Sequence, residues 1–403
     1  MRQVLCLLLF TVFASCLLEE DNNQETARQI IDQLKTEFAP DKRVAIWNVE
    51  LDRKDQAKSV YTLRGETNLP EAKDNLIDSL DAAGIKLQDS IRMLPDLDQL
   101  EEKVFGLVNL SAANIRSNPK HSAELATQST LGTPLNVLKK QDGWYLVQTP
   151  DGYLGWLDGG GLELKTREEM QEWFNAPRVV YLPDSGISYD PDNPEDVPVS
   201  DLMAGAILQN AGSQYGVTTV RYPDGREASI IDTELMDYEE WITSRRATDQ
   251  NILFNAYQLR GRPYLWGGTS NRAMDCSGFT KTVYYLNGIL LPRDASQQVH
   301  VGMPVETDTS TWKNLQAGDL LFFGRAATEE KGEKVTHVAI YVGDGKIIHA
   351  SGRVREESLR RGDPSFTEYR LKSFLRARRI LGSEGKNGVR ALKNVPVYSE
   401  GIL

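Results

Sequence analysis

Asp275-Cys276-Ser277-Gly278-Phe279 is the stretch on which the reading of this chain turns. Val283, Tyr284 and Leu286 follow at helical spacing and Asn287-Gly288 supplies a stop, which predicts a helix with Cys276 in its first turn. The free N–H groups and positive dipole end of a helix start favour a thiolate, pulling a cysteine below its free pKa of ~8.5. Thiolate is the attacking species in acyl transfer. A cysteine taken alone is more often an inert buried one, so its partners must decide.

The candidates are few, because the 403-residue chain holds only three cysteines, Cys6, Cys16 and Cys276, and four histidines, His121, His300, His337 and His349. Val335 to Val342 reads as a strand, Gly343-Asp344-Gly345 as a turn, and Lys346 to Ala350 as a second strand. A three-residue loop over 343–345 pairs Val342 with Lys346. His349 then faces Ala339 and lies diagonal to His337 on the same face, ~7–8 Å away between Cα atoms. A two-residue loop puts the two histidines on opposite faces. In the first register His337 is the general base and His349 orients it, a triad without a carboxylate. No Cys or carboxylate falls at metal-ligand spacing around them, so neither a metal nor another cofactor is expected.

Further segments around these residues carry a resemblance. Pro263-Tyr264-Leu265-Trp266-Gly267-Gly268, Leu291-Pro292-Arg293-Asp294-Ala295-Ser296-Gln297-Gln298, Ala317-Gly318-Asp319-Leu320-Leu321-Phe322-Phe323, Thr336-His337-Val338-Ala339-Ile340-Tyr341 and Ile347-Ile348-His349-Ala350 occur in order around the cysteine block. Residues 247–381 thereby resemble the NlpC-type papain-like bacterial cell-wall peptidases. The resemblance implies an α+β papain-like domain that hydrolyses amide bonds in peptidoglycan stem peptides. It also implies Cys276 as nucleophile, His337 as base, His349 as third member, and Tyr264 lining the nucleophile as a possible hydroxyl donor.

Upstream, residues 101–165 hold short strand-like runs, Val108 to Ile115, Pro134 to Leu138, Gly143 to Gln148 and Tyr153 to Leu157, split by turns such as Pro150-Asp151-Gly152. Gly143-Trp144-Tyr145-Leu146-Val147 and Asp151-Gly152-Tyr153-Leu154-Gly155-Trp156 resemble bacterial SH3-like domains. A fainter echo, Tyr222-Pro223-Asp224-Gly225, suggests a second such domain over 178–235. Paired SH3-like domains ahead of this catalytic domain resemble the γ-D-glutamyl-L-diamino acid endopeptidases (dipeptidyl-peptidase VI), which cut after D-Glu in stem peptides with a free L-Ala. That resemblance implies substrate contacts from Asp275 and Ser277. It implies an acid at Asp294 that binds the free amine, and a Glu and a Tyr from the first SH3-like domain, placed at Glu124 and Tyr153. The subgroup's Ser beside the acid is replaced here by Ala295, which removes that hydrogen bond. Asp294 also suits a helix N-cap ahead of Ala295 to His300.

Residues 1–16 read as an export leader. Arg2 precedes an apolar run, Val4 to Phe13, too short to span a bilayer, and Ala14-Ser15-Cys16 resembles a lipobox in which Cys16 is lipidated. The expectation is an exported envelope protein tethered to a membrane through Cys16; a plain cleaved signal peptide is the simpler alternative. Residues 17–100 read as a polar tether leading into a mixed helical and strand segment, with helical spacing over Glu25 to Phe38 and Pro70 to Gly84 and alternation over Lys42 to Leu51. Residues 382–403 form a tail of unassigned place. The net charge of −11 and the lack of a basic stretch argue against a nucleic-acid partner. The whole reads as a multidomain chain: two small all-β SH3-like barrels between a mixed α/β segment and an α+β catalytic domain. The resemblance to the γ-D-glutamyl-L-diamino acid endopeptidases implies an enzyme that recycles released stem peptides, and two rivals stand beside it: a broader endopeptidase of intact wall, and a non-catalytic wall-binding lipoprotein.

Overall fold

The computed structural model describes residues 22–55 and 60–399. The leader, Cys16 included, lies outside them. The chain divides into two compact units, Met1–Glu101 and Glu102–Leu403.

In the first unit a helix over 22–38 (α1) precedes β1 (Trp47–Asp55), β2 (Val60–Thr67), α2 (Pro70–Ala82) and β3 (Leu87–Met93). β1 and β2 run antiparallel, and α2 is the crossover that makes β2 and β3 parallel. Leu76 and Leu80 on α2 pack with Leu34, Trp47 and Leu63 in one buried cluster. The short helix α3 (Leu97–Leu100) closes the unit.

The second unit opens with a seven-stranded sheet: β4 (Phe105–Val108), β5 (Ala112–Arg116), β6 (Leu125–Thr130), β7 (Pro134–Gln141), β8 (Trp144–Gln148), β9 (Leu154–Asp158) and β10 (Leu162–Lys165). The run read as one strand over Val108 to Ile115 is two, because Asn109 to Ser111 turn the chain, while β6 lacked a clear alternating signal. Helix α4 (Arg167–Asn175), started by a Thr166/Glu169 capping box, leads to a second sheet. It contains β11 (Arg178–Tyr181), β12 (Ser185–Asp190), β13 (Asn193–Met203), β14 (Ile207–Gln214), β15 (Val217–Arg221), β16 (Glu227–Ile231) and β17 (Leu235–Asp237). Its order, β13-β12-β16-β15-β14-β11-β17, repeats strand for strand the order β6-β5-β9-β8-β7-β4-β10 of the first.

Two helices, α5 (Tyr238–Ser244) and α6 (Asp249–Gln258), follow. Thr248 caps α6 by accepting the Asn251 N–H. The short ribbon β18 (Thr269–Ser270) and β19 (Ala273–Met274) delivers the chain into α7 (Cys276–Tyr285). After β20 (Ile289–Leu290) and α8 (Ala295–Gln298), a six-stranded sheet forms from β21 (Met303–Val305), β22 (Leu320–Arg325), β23 (Lys334–Gly343), β24 (Lys346–Ser351), β25 (Arg353–Ser358) and β26 (Phe374–Arg379). Its order is β21-β26-β22-β23-β24-β25, with α9 (Glu368–Ser373) ahead of β26. Phe279 and Val283 of α7 bury against Val338, Ile340 and Ile348 of the sheet, which pins the cysteine end of the helix over β23 and β24. The tail residues Leu392, Val395, Val397 and Tyr398 pack with Tyr238 and Trp241 of α5, and β27 (Arg390–Ala391) pairs with β20. Tyr238 donates its hydroxyl to the Tyr398 carbonyl at 2.8 Å.

Candidate active site

Cys276 opens α7, as its sequence predicts, and is buried. Asp275 caps the helix: its Oδ1 accepts the Gly278 N–H at 2.7 Å. The same carboxylate accepts the Gly267 N–H at 3.0 Å, the Ser277 hydroxyl at 3.2 Å, and Arg293 through Nη1 at 3.1 Å and Nη2 at 2.6 Å. Ser277 Oγ also accepts from Arg293 Nη1 at 3.0 Å. The side chains of Asp275 and Ser277 are thus tied into an internal network that fixes the helix bearing Cys276. Gly278 allows it sterically, since a Cβ there would stand 2.0 Å from the Gly268 carbonyl oxygen.

The electrostatics correct one expectation. Burial, followed by the neighbouring Asp275 carboxylate, pushes the Cys276 thiol up to about 11, against hydrogen bonds from the Val338 and Ser277 backbone and the Arg293 charge. Desolvation therefore outweighs the helix start, and Cys276 rests as a thiol. Burial likewise holds His337 well below its ordinary value, with His349 and Arg370 acting in the same direction, so its imidazole is neutral.

His337 and His349 share one face. His337 Nε2 and His349 Nδ1 are 2.7 Å apart, with their rings edge to face. The route differs from the expected three-residue loop: Gly343 pairs with Lys346 across a two-residue Asp344-Gly345 turn, both residues at positive φ. A bulge at Val342 restores the shift, so Ile340 pairs with Ile348 and His349 falls diagonal to His337. Behind them stands a carboxylate the sequence reading lacked. His349 pairs with Arg355 across β24 and β25, and Glu357 lies two residues on. Its Oε2 is 3.1 Å from His349 Nε2, at an angle short of a full hydrogen bond. Burial would raise the Glu357 carboxyl, but His349 and Arg355 hold it below its ordinary range. A carboxylate only accepts, which places the proton on His349 Nε2. His349 Nδ1 then accepts from His337 Nε2–H, and His337 Nδ1 is left with the lone pair that can take a proton. The visible signal was the tight Ser351-Gly352-Arg353 turn, which sets that register.

Tyr264 lies on a loop held from two sides: its N–H donates to the carbonyl of Gly352, between β24 and β25, at 3.0 Å, and Leu265 N–H to the carbonyl of Met274, on β19, at 3.1 Å. Burial and the nearby Cys276 raise the Tyr264 hydroxyl, so it remains a donor.

The first β domain forms one wall. Asp294 caps α8, with the Gln297 side chain accepting its N–H at 3.1 Å, and its Oδ2 accepts the Tyr153 hydroxyl at 3.1 Å. Ala295 is buried in the first turn of α8 with no donor to offer. Glu124 meets the site's rim instead, accepting Trp266 Nε1–H at 2.5 Å. The seam is fixed by Gln128 Oε1, which accepts the Thr269 and Ser270 N–H groups, and by a buried Lys281–Asp151 pair at 2.9 Å.

Comparison with known proteins agrees with this geometry. The NlpC/P60 family model matches residues 261–376, and a bacterial SH3 domain model matches residues 111–163. A gamma-D-glutamyl-L-lysine dipeptidyl-peptidase of Bacillus cereus is 30% identical over 268 residues, 64% of this chain and 76% of the relative. Its namesake from Bacillus subtilis is 28% identical over 56% of this chain and 72% of the relative. The crystal structure of an NlpC/P60 family protein from Bacillus cereus superposes with a TM-score of 0.58 at 25% identity, over 69% of this chain and 99% of that one. With the sole cysteine among the described residues at a helix start over a histidine-bearing strand, the chain belongs to the NlpC/P60 family of cysteine peptidases.

Proposed function

We propose that this enzyme hydrolyses the bond between γ-D-Glu and a diamino acid in peptidoglycan stem peptides whose N-terminal L-Ala is free. Cys276 is the nucleophile, His337 the base and His349 its orienting partner, with Glu357 fixing the tautomer of both rings. As the sulfur attacks the amide carbonyl, His337 takes the thiol proton. Backbone N–H groups at the start of α7 and the Tyr264 hydroxyl are available to the oxyanion. His337 then protonates the leaving amine, and water, activated by the same imidazole, cleaves the thioester.

The observation that carries the specificity is the Tyr153–Asp294 contact, in which the β domain aims a hydroxyl at the cap of α8. A half-buried carboxylate there suits an ammonium, and a wall on that side suits a substrate that ends. The names of the Bacillus relatives support the same bond. The reading includes export and a lipid anchor at Cys16, supported by the leader in the sequence.

The test is mass spectrometry of products from L-Ala-γ-D-Glu-meso-diaminopimelate, its N-acetylated form and intact sacculi. The free tripeptide should be cut and the other two spared. Asp294→Asn should lower kcat/KM on the free tripeptide at least about thirtyfold, the lower end for breaking a buried ion pair. Equal cleavage of sacculi and free peptide would replace this reading with the broader endopeptidase. No turnover of any would leave a wall-binding protein.

A further inference from the structure

Arg370, on α9, takes no part in the chemistry above, yet it stands beside it. Its guanidinium is half-buried and has no carboxylate within ion-pair distance among the described residues. Its Nη2 donates to Ser351 Oγ at 3.2 Å, and its plane lies 5.9 Å from the Phe323 ring centre. Phe323 pairs with His337 across β22 and β23, their rings 5.9 Å apart. Ser351 adjoins Gly352, whose carbonyl holds the Tyr264 N–H. Arg370 is thus bracketed between the base and the loop that carries Tyr264. Burial pushes its pKa down; the Glu357 carboxylate acts on it from beyond ion-pair distance, and the Cys276 sulfur acts more weakly. A partly buried guanidinium whose direct contacts are a hydroxyl and aromatic faces, and whose nearest anion, Glu357, is shared with His349 and Arg355, retains donors that a close carboxylate can take.

The side of the site it occupies follows from the reaction. The imidazole that protonates the leaving amine must touch the leaving residue, whereas the acyl residue runs toward Asp294. Arg370 shares Phe323 with His337 and so lies on the leaving side. An amino acid leaving through its α-amine carries its α-carboxylate one carbon from the scissile nitrogen. We propose that Arg370 binds the free α-carboxylate of the leaving residue, so that the enzyme selects peptides ending immediately after the scissile bond. With Asp294 reading the other terminus, the site measures a tripeptide at both ends. This inference rests on the proposed function.

Three substrates test it: L-Ala-γ-D-Glu-L-Lys, its C-terminal amide, and L-Ala-γ-D-Glu-meso-diaminopimelate. The wild type should prefer acid to amide by at least about thirtyfold in kcat/KM, and Arg370→Gln should bring that ratio within about threefold of unity, with Arg370→Lys between. A variant that slows acid and amide equally, preserving the ratio, would show that Arg370 only tunes the charge around Cys276, and the inference is then wrong. A wild type blind to the amide but preferring diaminopimelate to lysine, with the preference lost in Arg370→Gln, assigns Arg370 to the distal carboxylate and overturns the α-carboxylate assignment. If the wild type cuts none of the three, the proposed function itself fails, and this inference with it.

Discussion

Arg293→Met tests the network that holds the nucleophile. Arg293 is 1% exposed, and it supplies two of the bonds received by the Asp275 carboxylate, at 2.6 and 3.1 Å. Methionine fills most of the volume but leaves that carboxylate buried with only the Gly267, Gly278 and Ser277 donors. Removing one partner of a buried pair costs about 3–5 kcal/mol. At a urea m-value of ~3 kcal/mol/M, the unfolding midpoint falls by roughly 1–1.7 M. The readout must come from the larger unit alone, so Cys276 itself serves: pulse alkylation across a urea series, quantified by peptide mass spectrometry, reports exposure of its own helix. In the folded variant the thiol should rise further, because Arg293 pulls it down and Asp275 pushes it up. Alkylation in buffer should accordingly slow. The double variant Asp275→Asn with Arg293→Met should regain part of the stability, since no unpaired charge is left behind. A midpoint shift under about 0.3 M for Arg293→Met would refute the reasoning, because surface-like substitutions fall within that range.

Two further outcomes follow from the site. Iodoacetamide should modify Cys276 about tenfold faster per pH unit from 7 to 10 and level off only near its pKa of about 11. The base works when neutral and its pKa lies well below 6.5, so the acid limb of kcat/KM belongs below pH 6.5; an alkylation plateau at pH 8–9 would contradict the buried neutral thiol. Gly267→Ala should damage recognition across the seam. Gly267 has φ +79°, and its Cβ would stand 2.1 Å from the Leu125 carbonyl oxygen, so the β domain must part from the Tyr264 loop. The free tripeptide should lose about 10- to 100-fold in kcat/KM and its advantage over the N-acetyl form should shrink; an unchanged advantage would show that the β domain does not read the amine.

What the sequence disclosed and what it hid divide along a physical line. Local chemistry was legible: Cys276 in the first turn of a helix, and two histidines on one hairpin. Each depends on spacing within a few residues. The hairpin also shows how a correct face can follow from a wrong loop, because a bulge at Val342 compensates a turn one residue shorter than expected. Long-range partners were hidden. Glu357 lies on the next strand, and only the register across Gly352 brings it behind His349. The low pKa expected for Cys276 failed for a similar reason: the helix start is a local feature, while burial by Val338 and the sheet is not. Trp266 taking Glu124 was equally out of reach, since the two are 142 residues apart in the chain.

The neutral resting pair bears on how the thiol can be activated. With the thiol at about 11, ionising it at pH 7 before attack would cost roughly 5 kcal/mol, at 1.36 kcal/mol per pH unit. A separate ionisation step would spend much of the barrier reduction expected of an enzyme. Transfer to His337 during attack avoids forming a free thiolate, because the imidazole gains charge only as the carbonyl oxygen does. The positive ring then sits one histidine away from an ionised Glu357, and the intervening His349 can share the proton. This gives the carboxylate a second role beside fixing the tautomers of the resting state, where no charge on either ring needs an anion. It also explains why burial of both histidines is tolerable: they are uncharged except in the transition state and the intermediate that follows, where a fixed anion, and not water, must balance them.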